Sequence, residues 1–291
     1  MIDDASPDRC GEICDVYAAK DARFRVFHNK MNQGLSVSRN IGIEKAVSDY
    51  LMFVDGDDYV HEDFCRLPYE CAVKYHADLV TFRCLHIKRH EIFEKGKHGN
   101  DYDECSTHGG YLTKLEVMDL LLKGVKTGVG QAAWNKLYRK ELFADISYPP
   151  GFLCEDIGTT YKIVHRAFNI YYLDRVLYYY CYRKGSITSQ KTELRLRNLF
   201  ELSMKQYYDL TAWGYPTAKL DMIKQNIALT YCIIKNPDTT DKDYAFCENV
   251  LCGSKGIPDN FTWRRKILFV LFRYFRPLFE VICTLYNKKV C

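Results

Sequence analysis

Apolar positions in the first eighty residues follow two periods in turn. Over 9–20 they recur at helical spacing (Ile13, Val16, Tyr17), and Phe24-Arg25-Val26-Phe27 alternates as a short strand does. The first eight residues hold three acids, a Ser and a Pro and read as a strand end running into a turn. A polar loop over 29–34 leads to a helix expected over 36–47. Leu51-Met52-Phe53-Val54 carries no polar residue, the pattern of a strand buried on both faces of a parallel sheet, and it stops at Asp55-Gly56-Asp57-Asp58. A helix over 62–76 and a strand over 77–82 follow. This β-α-β-α-β order predicts an α/β sheet of the doubly wound kind.

Beyond it the pattern changes character. Residues 86–110 are rich in His, Lys, Asp and Gly and read as a surface excursion. Thr113-x-x-Glu116 ahead of Val117 and Met118 is a capping box opening a helix. Tyr148-Pro149-Pro150-Gly151 is a turn, 157–167 a helix, and the Tyr-rich run 170–182 a strand. From 192 to 235 the spacing is helical, a polar loop covers 236–243, and 253–258 is a Gly/Pro break. The pattern predicts an α/β domain over 1–190, a helical extension over 191–260, and an amphipathic helix over 261–291.

Composition narrows the function classes. The chain has 291 residues, 47% hydrophobic and 27% charged, which excludes a disordered chain. A net charge of +4 is too small to imply a nucleic-acid partner. Thirteen cysteines without a C-x-x-C pair argue against a disulfide framework or a ribbon-type zinc site and suit a reducing compartment. No apolar run approaches the ~20 residues of a membrane span.

Asp55, Asp57 and Asp58 place three carboxylates within four residues at the carboxyl end of a predicted strand, the edge where open α/β sheets bind ligands. Their mutual repulsion invites a cation, and oxygen ligands select Mg²⁺ or Mn²⁺. A solvated acidic turn that caps the next helix is the competing reading.

Three clusters in order carry a family resemblance: Asp3-Asp4-x-Ser6-x-Asp8; Asn32-x-Gly34-x-Ser36-x-Ser38-Arg39-Asn40-x-Gly42; and Phe53-x-Asp55-x-Asp57-Asp58. With Trp134-Asn135-Lys136-Leu137-Tyr138, Glu155-Asp156 and Arg183-x-Gly185-Ser186-Ile187, they make roughly 1–190 similar to the family 2 glycosyltransferases, closest to bacterial members that build surface polysaccharides. That resemblance implies a GT-A fold, with a nucleotide-sugar-binding half over 1–105 and an acceptor half over 106–190. It implies an inverting transfer from a nucleotide-diphosphate sugar, most simply a UDP-sugar, to a hydroxyl of a growing glycan or lipid-linked acceptor. By the same resemblance Asp3 and Asp4 contact the nucleotide base, Arg39 lies near the nucleotide and its diphosphate, and Asp55 holds the ribose or the metal's waters. Asp57 binds the metal with Asp55, and Asp156 is the catalytic base. The competing readings are an Asx-type turn for Asp3 and Asp4, a surface ion pair for Arg39, and a helix cap for Asp156. Family members usually carry a strand and helix ahead of the turn matched by Asp3-Asp4. The sequence therefore reads as an N-terminally truncated GT-A domain, and a non-catalytic remnant is the alternative function.

The segment 262–287 is basic at both ends, with Lys266, Arg273, Glu280 and Asn287 on one narrow stripe and mostly Leu, Phe, Ile, Val and Tyr elsewhere. Such a helix suits an anionic membrane surface, so peripheral contact on the inner face of the cell membrane is expected; packing on the protein itself is the alternative.

Overall fold

The computed structural model describes residues 1–88, 109–123, 129–183, 192–235, 241–254, 256–257 and 261–288, and the chain divides after Gln190 into two compact units. Most of the polar excursion expected over 86–110, Gly185-Ser186-Ile187 and residues 236–240 lie outside the described residues.

In the first unit, β1 (Ile2–Asp3) and β2 (Phe27–His28) pair in parallel, joined through α1 (Cys10–Lys20). The next helix, α2 (Leu35–Lys45), packs against β1. The main sheet has six strands: β3 (Tyr50–Met52), β4 (Tyr59–Val60), β5 (Leu79–Lys88), β6 (Gly109–Leu112), β7 (Lys136–Arg139) and β8 (Ile170–Tyr182). Their order is β3-β7-β5-β8-β4, with β6 also paired to β8. Among the described residues the unit also holds helices α3 (Arg66–Lys74), α4 (Lys114–Lys123) and α5 (Thr160–Arg166) and two short 3₁₀ turns. The capping box forms: Thr113 N and Oγ1 each donate to Glu116 Oε2 at 2.8 Å, and Glu116 N donates back to Thr113 Oγ1 at 3.2 Å.

The strand expected over 51–54 differs from its reading. It is antiparallel to β7, with Leu51 opposite Tyr138; its residues are half-buried, and Val54 beyond it is 52% exposed. An apolar run signals burial but not its partner, and β7, far downstream in the sequence, inserts between β3 and β5. Among the described strands only β1/β2 and β5/β8 are parallel. The core of the unit gathers Phe64, Val80, Phe82, Leu137 and Tyr178, with Trp134 stacked on Tyr178 at 4.3 Å between ring centroids. Trp134 and Tyr178 are thus packing residues.

The second unit is helical: α6 (Glu193–Ala212), α7 (Thr217–Lys235), α8 (Lys242–Cys252), α9 (Trp263–Tyr274) and α10 (Arg276–Lys288). The single helical stretch expected over 192–235 breaks at Gly214, whose φ of +78° suits a residue without Cβ, and Pro216 then precedes α7. The single helix expected over 262–287 is also two. Pro277 has no N–H to continue the α9 ladder, and Phe275 leaves helical geometry with φ −135° and ψ 55°. Phe269, Phe272, Phe279 and Cys283 face inward and share a core with Tyr231, Cys232, Tyr244 and Leu251. Arg265, Arg273 and Arg276 also point inward: Arg276 lies 3.9 Å over the Phe272 ring and 2.9 Å from both Glu248 and the Tyr244 hydroxyl. Among the described residues no helix is long and apolar enough to cross a membrane.

Candidate active site

Phe53, in the apolar run that continues past β3, packs edge-on against Tyr138, Phe143 and Tyr148 at 5.8, 6.0 and 5.8 Å, two residues before the acidic turn. Asp58 N donates to Asp55 O at 3.1 Å and closes the turn. Its three carboxylates then part company. Asp58 turns inward, accepting from the Tyr178 hydroxyl at 2.7 Å and from Cys181 N at 2.8 Å. Burial pushes its carboxyl up to about 6, and those two hydrogen bonds pull against the shift. Asp58 therefore ties the turn to β8, and the Tyr178 hydroxyl also accepts from Asp55 N at 3.1 Å. Asp57 stays 40% exposed and meets Arg183 Nη2 at 3.0 Å. Asp55 reaches the other way, to Arg39.

Arg39 is carried by α2, and its side chain is only 5% exposed. Nη2 donates to Asp55 at 3.1 Å, while Nη1 donates to Asp156 at 2.9 Å and also to Glu155. Glu155 and Asp156 lie on a single 3₁₀ turn, Glu155–Gly158, entered through Cys154 in the left-handed region at φ +66°. For a residue with a Cβ this backbone is costly, and such strain collects at functional sites. Neither carboxylate caps the helix that follows; both turn toward Arg39. Burial pushes Asp156 up to about 7, Arg39 opposes the shift, Glu155 and Asp55 reinforce it, and Lys136 opposes it weakly. Asp156 keeps 20% of its side chain accessible. It is recessed but reachable from solvent.

Lys136 is fully buried, and its Nζ donates to Gly130 O, Ala132 O and Asn135 Oδ1 at 2.7 Å each. Burial pushes the ammonium down to about 7, while three oxygens that each need an N–H hold its proton. It organises the stretch before β7 and has no hydrogen left for a diphosphate.

Asp3 and Asp4 close β1. Asp4 accepts from Asn29 Nδ2 at 2.7 Å, Gln33 N at 3.0 Å and Gly34 N at 2.7 Å, cinching the loop that enters α2. Asp3 accepts from Ser6 N at 3.1 Å, the Asx-type geometry, and lies 2.9 Å from His28 Nδ1. Bonds from Ser6 and then His28 hold Asp3 below its usual range, and flanking by Asp3 and Asp15 raises His28. Of the residues singled out in the sequence, the fold thus joins Arg39, Asp55 and Asp156 directly. Asp57 stands beside Arg183, and Asp3 and Asp4 shape the β1 turn. The sequence groups Asp58 with the cation-binding carboxylates, and the fold instead turns it toward Tyr178 and Cys181; Glu155, given no role of its own in the sequence, joins Asp156 at Arg39.

A divalent metal fits this turn. Asp57 is exposed, both candidate ligands are hard carboxylate oxygens from one turn, and Asp55 keeps its Oδ2 free of Arg39. Among the described residues one trio, His61, Glu62 and Asp63, places potential ligand atoms within 4.8 Å of one another. Asp63 there is bound to Arg66 at 2.7 Å, and the trio serves the start of α3.

The family model of "Glycosyl transferase family 2" matches residues 1–146. The glycosyltransferase GlyA of Streptococcus pneumoniae serotype 4 is 28% identical over 75% of this chain and 31% of its own length. GlyG of the same organism is 27% identical over 79% and 76%, and the uncharacterized glycosyltransferase EpsJ of Bacillus subtilis is 34% identical over 65% and 53%. The chain thus spans about a third of GlyA and half of EpsJ. Among solved structures, S. aureus TarS 1–349 in complex with UDP-GlcNAc superposes with a TM-score of 0.65 at 17% identity, over 99% of this chain and 82% of TarS. A mannosyltransferase from Pyrobaculum calidifontis in complex with GDP-Man and Mn²⁺ gives 0.52 at 12% identity, over 98% and 76%. The architecture is the GT-A fold, and this chain belongs to glycosyltransferase family 2.

Proposed function

We propose that the chain transfers a sugar from a nucleotide-diphosphate donor, most simply a UDP-sugar, to a hydroxyl of a growing cell-surface glycan, with inversion at the anomeric carbon. The observation that carries this is the meeting of Asp156 and Asp55 on one guanidinium, although they are 101 positions apart in sequence. It sets a recessed carboxylate of raised proton affinity beside the acidic turn. Asp156 takes the proton of the acceptor hydroxyl as its oxygen attacks the anomeric carbon and the nucleoside diphosphate leaves from the opposite face. Asp57, with Asp55, would hold Mg²⁺ or Mn²⁺, which when bound supplies charge neutralisation for the departing diphosphate. Asp3 and Asp4 frame the turn at which the base would sit. The neighbours crystallised with UDP-GlcNAc and with GDP-Man and Mn²⁺ support such a donor.

The test is transfer by purified protein with Mn²⁺ across a panel of UDP-, GDP- and dTDP-sugars, with product anomericity read by NMR. Asp156→Asn is expected to lower transfer at least a hundredfold. A chain that binds and cleaves no donor would favour the non-catalytic alternative.

The same reading places α9 and α10 against the inner face of the cell membrane. Trp263, Ile267, Tyr274, Leu278, Val281 and Leu285 all point away from the shared core, each at least 50% exposed, with Arg264 among them. An outward apolar face with basic flanks suits an anionic bilayer. The triple variant Trp263→Ser, Leu278→Ser, Leu285→Ser should lose sedimentation with phosphatidylglycerol vesicles and keep its melting temperature. Unchanged sedimentation would overturn the membrane contact.

A further inference from the structure

We infer that Tyr178 is the positioning residue of the acidic turn: from behind the site, its hydroxyl sets the spacing of Asp55 and Asp57 and with it the turn's affinity for a divalent cation. The inference rests on the reading above, that Asp57 with Asp55 holds Mg²⁺ or Mn²⁺. A phenol has one hydrogen to donate and lone pairs with which to accept. Here both functions serve the two ends of one turn. The oxygen accepts from Asp55 N at 3.1 Å, and its hydrogen goes to Asp58 Oδ2 at 2.7 Å. The other carboxylate oxygen of Asp58 accepts from Cys181 N at 2.8 Å. Both oxygens of Asp58 are therefore engaged by β8, and Asp57, between the clamped ends, stays on the outside at 40% exposure.

The hydroxyl cannot follow the turn if the turn moves. Tyr178 is fully buried, its ring stacked on Trp134 at 4.3 Å and 12° between planes, with the Phe64 ring at 6.0 Å. The chain leaving the turn is tied to the same strand: Tyr59 and Val60 pair with Tyr179 and Tyr178, and His61 N donates to Leu177 O at 3.0 Å. Between Met52, the end of β3, and Tyr59, the start of β4, the turn lies outside the sheet ladder. Gly56 at its centre gives the backbone wide conformational freedom, and three carboxylates within four residues repel one another. Such a turn needs an outside clamp to present Asp55 and Asp57 together. Ligands fixed before the ion arrives cost less ordering on binding, so loss of the clamp should show first as weaker metal binding.

The experiment compares Tyr178→Phe, Asp58→Asn, Asp57→Asn and Tyr111→Phe with the wild type. Tyr111 donates to Tyr75 O at 2.9 Å, so its variant loses a hydroxyl bond elsewhere in the same unit and serves as the control. Free Mn²⁺ is titrated by electron paramagnetic resonance with UDP present, melting temperature is recorded, and transfer is followed against Mn²⁺. Tyr178→Phe and Asp58→Asn are expected to weaken Mn²⁺ binding by about fivefold or more, the scale of one lost hydrogen bond, with kcat at saturating Mn²⁺ within about threefold of wild type. Tyr111→Phe should keep the wild-type Mn²⁺ affinity, and Asp57→Asn should show no saturable binding. Wild-type Mn²⁺ affinity in Tyr178→Phe would overturn the inference. So would loss of all saturable binding in Asp58→Asn, which would make Asp58 a ligand. If Tyr178→Phe does not fold, Asp58→Asn carries the same comparison. No saturable binding by the wild type also overturns the inference, and transfer that persists in EDTA would then leave the transferase reading standing. Mn²⁺ affinities in the expected order without transfer from any donor would uphold the inference and overturn the proposed function.

Discussion

Sugar transfer is predicted to rise with pH around a midpoint near 7, because Asp156 must lose its proton to act as base. Burial pushes its carboxyl up to about 7 from an ordinary 3.8, against the pull of Arg39 and Lys136 and with the push of Glu155 and Asp55. A group of that affinity is about a tenth ionised at pH 6 and about nine-tenths at pH 8, so kcat/KM should rise about tenfold between them, and about another tenfold is lost from pH 6 to pH 5. An aspartate at its ordinary value would be fully ionised throughout, and the profile would be flat. Initial rates at subsaturating donor from pH 5 to 8.5, at constant ionic strength and Mn²⁺, read the difference directly. A flat profile over that range refutes the assignment of Asp156 as a buried, proton-retaining base. Stability carries the opposite sign. The native state binds this proton more tightly than the unfolded chain, so the contribution is present below the unfolded value and is lost as pH rises through 7. Between about pH 4 and 7 the slope is on the order of 1 kcal/mol per pH unit from this group alone. Asp156→Asn should flatten both curves together, which no change in substrate ionisation would do.

Other perturbations separate structural from chemical roles. Lys136→Met removes the ammonium that donates to Gly130 O, Ala132 O and Asn135 Oδ1 and should lower stability by about 2–4 kcal/mol in urea unfolding. Tyr178→Phe removes the hydroxyl shared by Asp58 and Asp55 N, and a loss of about 1–2 kcal/mol is expected in thermal melts. Phe279→Ala empties a fully buried site in the helical unit and should cost about 3–5 kcal/mol, read as a lower denaturation midpoint. Removal of divalent ions with EDTA should abolish transfer and leave the melting temperature unchanged in the absence of nucleotide; continued transfer would exclude a metal at Asp57.

How much of this the sequence disclosed depends on whether the signal was local. The capping box at Thr113 and Glu116 was legible because both partners lie within one turn of helix. The Gly214 and Pro216 break was equally local, yet the apolar spacing on either side masked it, since periodicity persists across a short loop. Strands β4, β6 and β7 have two to four residues and take their structure from a distant partner rather than their own pattern. That is also why the run 51–54 gave its burial tendency and not its antiparallel pairing. Helix α1 shows the converse: its apolar spacing was correct as a helix, yet Ile13, Val16 and Tyr17 are each about half exposed.

The site divides along the same line. Motif positions named Asp55, Asp57 and Asp156, because a family pattern records where functional residues fall in order. It does not record which carboxylate faces which cation. Asp58 is the least conspicuous of the acidic turn by pattern, yet it is the member bonded to β8, and its removal from the metal-facing set follows only from Tyr178 and Cys181. Arg39 is the sharper case. Sequence places an arginine shortly before an acidic turn, and a surface cation or a ligand contact both follow from that. Only the return of Glu155 and Asp156, 116 and 117 positions later, brings two more carboxylates to the guanidinium that Asp55 already meets, and Tyr148 and Phe53 pack beside it.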